Sequence, residues 1–237
     1  MIKNRKMKWK ARIRYTIPPS MLNSILLQFP FLYRTKLVYY ETHLQADHGI
    51  DDLLTQLNLV IDIPGNIIEC GSALCGTSIV MANYLHSKEV HKIVYSCDSF
   101  EGYDPAELDK ERQAGLTLAQ NSSVTLASSY DYVKRKIEKL GVGDIVFPVR
   151  GFFKDTLSDI ESDFSLALID CNLKESTIYC AETIWSKIVR NGRLLFDDYT
   201  YEEFQGARLG VESFLSKHER EISEHGLLNR LYYVCKA

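Results

Sequence analysis

The sequence predicts an α/β fold, a doubly wound and mostly parallel sheet with helices on both faces, preceded by an N-terminal helical extension. Three observations predict it. Short apolar runs alternate with helix-periodic stretches from residue 51 to residue 235. Residues 164–170 (FSLALID) and 192–198 (GRLLFDD) are two such runs, each closing on carboxylates, with a helical stretch at 176–188 between them. A turn bearing Gly71 and Gly76 follows an earlier strand and opens a helix. Strand, helix, strand in that order is a parallel crossover, which brings both strands' carboxyl ends to one edge of the sheet.

The elements read in order as follows. Residues 1–40 hold nine Lys/Arg and no acid, which leaves 19 Lys/Arg against 31 Asp/Glu, a net of −12, for residues 41–237. So acidic a body argues against nucleic acid as a partner. Residues 21–33 (MLNSILLQFPFLY) are apolar, yet too few to span a bilayer, interrupted by Pro30 and followed by no cleavage signature. They read as a surface helix docking on a partner subunit or on the chain's own domain, with a membrane contact and a disordered arm as the alternatives. No stable membrane insertion is expected. Residues 51–60 read as a helix leading to Pro64-Gly65, so that an extension over 1–60 precedes one domain over 61–237.

Residues 66–71 form the first strand, 79–86 a helix and 93–98 the second strand. The polar stretch 101–129 lies where a lid over the binding edge would be. Residues 145–151 are a third strand, whose Pro148 suits an edge or a bulge. The helix at 176–188 carries a stripe of Ile178, Ala181, Trp185 and Ile188. Residues 227–235 read as one last strand, open to antiparallel pairing. Six cysteines without CxxC pairing suggest reduced, buried thiols in a cytoplasmic protein. The six histidines have no metal-ligand spacing.

Asp170, Asp197 and Asp198 come together at the ends of the two aspartate strands. Three gathered carboxylates repel one another unless a cation sits among them, and all-oxygen ligation suits Mg, Ca or Mn. The competing reading makes them caps of the following loops. Glu69-x-Gly71-x-x-x-x-Gly76 can cradle an anion at a helix N-terminus, and Asp98, at the tip of the next strand, can accept both ribose hydroxyls. The pattern is not GxGxxG, which argues against a nicotinamide oxidoreductase. Tyr199 and Tyr201 follow the aspartate pair, where they either pack or line a pocket.

The blocks EC-G-(x4)-G-TS, CDSFEG, GFFKDTL, LIDCNLKEST and LLFDDY, in this order over residues 40–217, resemble the macrocin O-methyltransferase family. These are class I S-adenosylmethionine-dependent enzymes that methylate sugars of macrolides and related natural products. The resemblance implies a Rossmann-like, seven-stranded methyltransferase domain and a small-molecule acceptor. It implies adenosylmethionine at Glu69, Gly71, Gly76, Thr77, Ser78, Asp98, Ser99, Gly151, Phe152 and Asp170. It also implies Mg2+ at Asp170, Asp197 and Asp198, and a homo-oligomer whose N-terminal segments reach subunit contacts and the substrate pocket.

One position departs from the family. Where relatives carry a second acid two residues after the metal aspartate, a candidate general base, this chain has Asn172. An amide cannot take a proton from a sugar hydroxyl. Three explanations stand: a metal acidifies the acceptor; Lys174, His43, His48 or His218 is the base; or the acceptor is already a good nucleophile, such as a phenol, amine or carboxylate. Asp170 and Asn172 are accordingly the expected catalytic pair, Asn172 as an orienting group. A catalytically silent adenosylmethionine-binding protein is the alternative outside enzymes.

Overall fold

A computed structural model describes residues 42, 44, 48–117, 129–202 and 204–237. The basic stretch 1–40, its apolar segment 21–33, residue 43 and the second half of the expected lid, 118–128, lie outside the described residues.

The elements run α1 (Gly49–Leu59), β1 (Asn66–Cys70), α2 (Gly76–Ser87), β2 (Val94–Asp98), α3 (Pro105–Gln113), α4 (Tyr130–Leu140) and β3 (Val146–Arg150). They continue with α5 (Phe153–Thr156), β4 (Phe164–Ile169), α6 (Lys174–Trp185), β5 (Ile188–Phe196), α7 (Gln205–His218), β6 (Ile222–Leu227) and β7 (Tyr232–Lys236). The seven strands lie in the order β3-β2-β1-β4-β5-β7-β6. All pairs from β3 to β5 are parallel, while β7 runs antiparallel to both β5 and β6. The strand order reverses between β1 and β4, which opens a crevice at their carboxyl ends.

Period-2 alternation splits the apolar residues of the central strands between two cores. Ile67, Leu166, Leu168 and Leu195 face one cluster, with Leu53 and Leu57 of α1, Met81 and Leu85 of α2, and Val133 and Ile137 of α4. Ile68, Cys70, Ala167, Ile169, Leu194 and Phe196 face the other, with Cys180, Ala181 and Ile184 of α6 and Val211 and Phe214 of α7. All six residues of β4 are buried, as a strand covered on both faces requires. Pro148 sits on β3, at the edge of the sheet, where a missing donor is tolerated. All six cysteines are unpaired and buried. Among the described residues no helix is long and apolar enough to cross a membrane.

Helix α1, within the expected extension, is stitched to the far end of the sheet. The Asp52 carboxylate accepts from Asn229 Nδ2 at 2.7 Å and from the Arg230 backbone N–H at 3.0 Å, and Arg193 Nη1 donates to Gln56 Oε1 at 2.7 Å. Buried Asp52 thus fixes the turn between β6 and β7.

Two expectations are corrected. The single late strand is a hairpin: β6 (ISEHGL) is largely exposed and polar, so no apolar run announced it, and residue 227 closes β6 rather than opening a strand. The expected helix at 176–188 is α6, and its buried stripe is Thr177, Cys180, Ala181, Ile184 and Trp185. Ile188 already belongs to β5, and Ile178 is only partly buried. The helix meets both the sheet and α7, so its covered face is wider and turned from the one the strongest hydrophobes suggested.

Candidate active site

The crevice between β1 and β4 is closed at its base by backbone contacts. Gly71 N donates to Cys97 O at 2.9 Å, Asp170 N to Cys70 O at 2.8 Å, and Asp197 N to Ile169 O at 3.0 Å. Gly71 adopts φ +93°, and a Cβ there would lie 1.8 Å from Asp170 O. Only glycine lets β1 turn away this close to β4.

From Gly71 the chain turns through Ala73 and Cys75, both at positive φ, into α2. The Asp98 carboxylate ties this turn to the next one: Oδ2 accepts from Ala73 N at 2.8 Å and Oδ1 from Phe100 N at 2.6 Å. Burial raises the Asp98 carboxyl above its ordinary value, against the pull of these two bonds. Glu69 lies beneath the turn, fully buried, and accepts from the Ser78 hydroxyl, which itself accepts from Ser96 Oγ at 2.5 Å. Burial pushes Glu69 up to about 7, opposed by its bonds to Ser78 and Thr77.

A cavity of about 430 Å³ opens above these turns. Of the expected cofactor residues, Gly71, Asp98, Ser99, Phe152 and Asp170 line it, and so does Asn172. Glu69, Thr77 and Ser78 are buried behind the wall, and Gly76 and Gly151 stand outside the lining. Gly151 N donates to Asp98 O at 3.0 Å, so it supports the strand tip from below.

The aspartates converge as the sequence predicts. One carboxylate oxygen from each of Asp170, Asp197 and Asp198 lies within 4.8 Å of the others. The sequence did not reveal Arg230. From the β6–β7 turn, its Nε and Nη2 hold the two oxygens of Asp197 at 2.6 Å each, and Nη2 stands 3.5 Å from Asp198 Oδ1. Burial, then Asp197 and Asp198, raise Asp170 well above the carboxylate range, although Arg230 opposes this. Placing a cation among them would favour the ionised form of all three, and three carboxylates with one guanidinium then leave two negative charges on a set of hard oxygen donors. That charge and chemistry fit one divalent hard cation.

Asn172 sits at φ +63°, and its Nδ2 donates to the Tyr103 hydroxyl at 2.5 Å. Its Oδ1 is buried without a hydrogen-bond partner among the described residues. Tyr103, raised above the ordinary phenol value chiefly by burial, keeps its proton and cannot serve as a base. Of the expected alternative bases, the three among the described residues are elsewhere. His48 is exposed and pairs with Asp51; His218 is held between Glu182 and Glu221; the Lys174 side chain is outside the cavity lining; residue 43 lies outside the described residues. Tyr199 stacks on Tyr232, with ring centroids 4.5 Å apart, and Tyr201 is exposed; neither lines the cavity.

The polar stretch expected as a lid contains α3, which lies over the cavity. Asp104 caps it through Ala106 N, at 2.9 Å, with Pro105 in the first turn. Two buried carboxylates of α3 cap α6, whose own N-cap is Leu173. Glu107 accepts from Ser176 N at 2.7 Å and Ser176 Oγ at 2.5 Å, and Glu111 from Lys174 N at 2.6 Å. The i,i+4 spacing of the two glutamates was the available signal, read in the sequence only as polarity.

The macrocin-O-methyltransferase family model matches residues 48–227. Among solved structures, the O-methyltransferase NovP is similar over 91% of this chain and 99% of its own, with 20% identity and a TM-score of 0.70. CalS11, described as a calicheamicin methyltransferase, covers 92% and 93% respectively, with 19% identity and a TM-score of 0.64. An apo structure of CalS11, described as a TDP-rhamnose 3'-O-methyltransferase, gives 92% and 95%, 17% identity and 0.60. A comparison with curated proteins found no relative of matching sequence.

Proposed function

The chain belongs to the macrocin-O-methyltransferase family and is an S-adenosylmethionine-dependent methyltransferase, and from that premise we propose that it methylates a hydroxyl of a sugar or comparable small natural product. The observation that carries this reading is that Asp170 belongs to both the cavity wall and the aspartate trio. One residue thereby joins a nucleoside-sized cavity to a hard-cation site.

In this reading Asp98 takes the ribose hydroxyls, the Gly71 turn lets the backbone approach the cofactor, and Ser99 and Phe152 complete the wall. Asp170, Asp197 and Asp198 hold one divalent cation, Mg2+ foremost. Such an ion supplies Lewis acidity that makes a coordinated hydroxyl easier to deprotonate. Methyl transfer from a sulfonium is an in-line displacement with charge cancelling, so the residues work mainly by alignment. Tyr103 and Phe152 narrow the cavity and help exclude water, and Arg230 keeps Asp197 oriented. Asn172 orients the acceptor and moves no proton. That neutral amide also favours a second reading, an acceptor already acidic or nucleophilic, such as a catechol. The family resemblance supports a homo-oligomer, the six cysteines without CxxC pairing support a cytoplasmic location, and chain length with the order of elements supports a division into residues 1–60 and 61–237.

The test is mass spectrometry of small-molecule extracts incubated with the protein, adenosylmethionine and Mg2+, with TDP-rhamnose as the first defined acceptor. A product heavier by one methylene, formed with adenosylhomocysteine, is expected. No methylated product from any extract or defined acceptor would overturn the reading.

A further inference from the structure

We propose that Tyr103 and Asn172 act as one acceptor-reading unit, in which the Tyr103 hydroxyl proton and Asn172 Oδ1 together grip a hydroxyl of the acceptor beside the oxygen that is methylated. The inference rests on the function proposed above and narrows it to acceptors with two neighbouring hydroxyls.

The hydrogen-bond inventory of the pair leads there. Asn172 Nδ2 donates to the Tyr103 oxygen at 2.5 Å, so the phenolic proton is not spent on Asn172. Asn172 Oδ1 is buried, belongs to a residue lining the cavity, and has no partner among the described residues. A buried carbonyl left in that state is unfavourable, and an incoming donor removes the cost. The pair therefore offers one donor and one acceptor side by side. A hydroxyl answers both; an ether or ketone answers only the first, and an ammonium only the second.

The pair is held by its surroundings. The Tyr103 ring packs against Phe204, with centroids 6.2 Å apart, and Phe204 leads into α7. Asn172 is fixed two residues beyond Asp170, which lines the same cavity. A hydroxyl gripped here is adjacent to an oxygen directed at the aspartate trio. A carboxylate at position 172 would draw the Tyr103 proton to itself; the amide leaves that proton for the ligand.

The test is calorimetry on the full chain saturated with adenosylhomocysteine and Mg2+. Catechol is compared with phenol, and TDP-rhamnose with its 2-, 3- and 4-deoxy counterparts. The parent should bind at least one diol about tenfold or more tighter than a matched monodeoxy probe, the size of one buried hydrogen bond. In Tyr103→Phe, which keeps the ring on Phe204 but takes the acceptor from Asn172 Nδ2, that ratio should fall below about threefold while adenosylhomocysteine affinity is retained, with the melting temperature followed to show that the variant folds. An undiminished ratio in the variant overturns the proposal. So does a parent that binds diol and monodeoxy probes equally, or binds neither diol, and these outcomes do not depend on the variant folding. Methyl transfer to an acceptor lacking a neighbouring hydroxyl would sink this inference and leave the family reading intact; absence of any methyl transfer would sink that reading instead.

Discussion

Arg230 holds Asp197 by both carboxylate oxygens at 2.6 Å, and Asp197 is 3% exposed. The fork joins the β6–β7 turn, itself pinned to α1 by Asp52, to the aspartate trio. Removing the guanidinium strands a buried carboxylate among two others. Arg230→Met should cost about 3–5 kcal/mol of stability in denaturant unfolding without added metal. Arg230→Lys should cost less, because the charge survives without the fork. A midpoint unchanged in Arg230→Met would show that the pair does no structural work.

Adding Mg2+ or Mn2+ to EDTA-treated protein should raise its melting temperature, because the ion binds the native trio and not the unfolded chain. Asp170→Asn should remove most of that shift, and EDTA should abolish turnover while leaving adenosylhomocysteine binding largely intact. Turnover surviving thorough chelation would make the trio structural and the acceptor metal-independent.

Asp98→Ala should weaken adenosylhomocysteine by roughly 1–3 kcal/mol, the loss of charge-assisted bonds to the ribose. The change also releases Ala73 N and Phe100 N, so the melting temperature should be followed alongside. Equal affinity in calorimetry would reject the role.

Gly71→Ala should be among the most damaging conservative changes in the chain. Its Cβ would fall 1.8 Å from Asp170 O at a φ of +93°. A loss of at least about 2 kcal/mol of stability is expected, together with weakened cofactor binding, since β1 and β4 must part to admit the methyl group. Wild-type stability and affinity would mean that the crevice is looser than these contacts require.

Glu69, raised by burial from 4.5 to about 7, makes the ligand-free protein lose stability as pH rises through that window. Between those values the folded state holds a proton that the unfolded state has released, so the unfolding free energy falls with rising pH, by roughly 3 kcal/mol in all. Glu69→Gln should flatten this part of the pH–stability curve. Asp98 and Asp170, also raised, slope the same way, so the measurement is the difference between parent and variant. Identical slopes would place the Glu69 carboxyl at its ordinary value.

The sequence by itself determined the sheet up to β5 and the meeting of the three aspartates. Each is carried by local pattern: a run such as FSLALI is apolar at all but Ser165 because β4 is covered on both faces, and parallel crossovers bring strand ends to one edge. Set beside the family's pattern, it likewise marked Asn172 as a departure, since an amide in place of an acid can be seen without coordinates. Only the tertiary structure decided what meets those residues from elsewhere in the chain. Arg230 reaches Asp197 from 33 positions away, Tyr103 reaches Asn172 from 69, and Glu107 and Glu111 reach the start of α6 from 69 and 63. These partners lie on turns and on a polar helix, where periodicity carries no signal. The exposed strand β6 escaped for the same reason: hydrophobic patterning records what is buried, whereas polar pairing depends on where loops arrive after the core has formed.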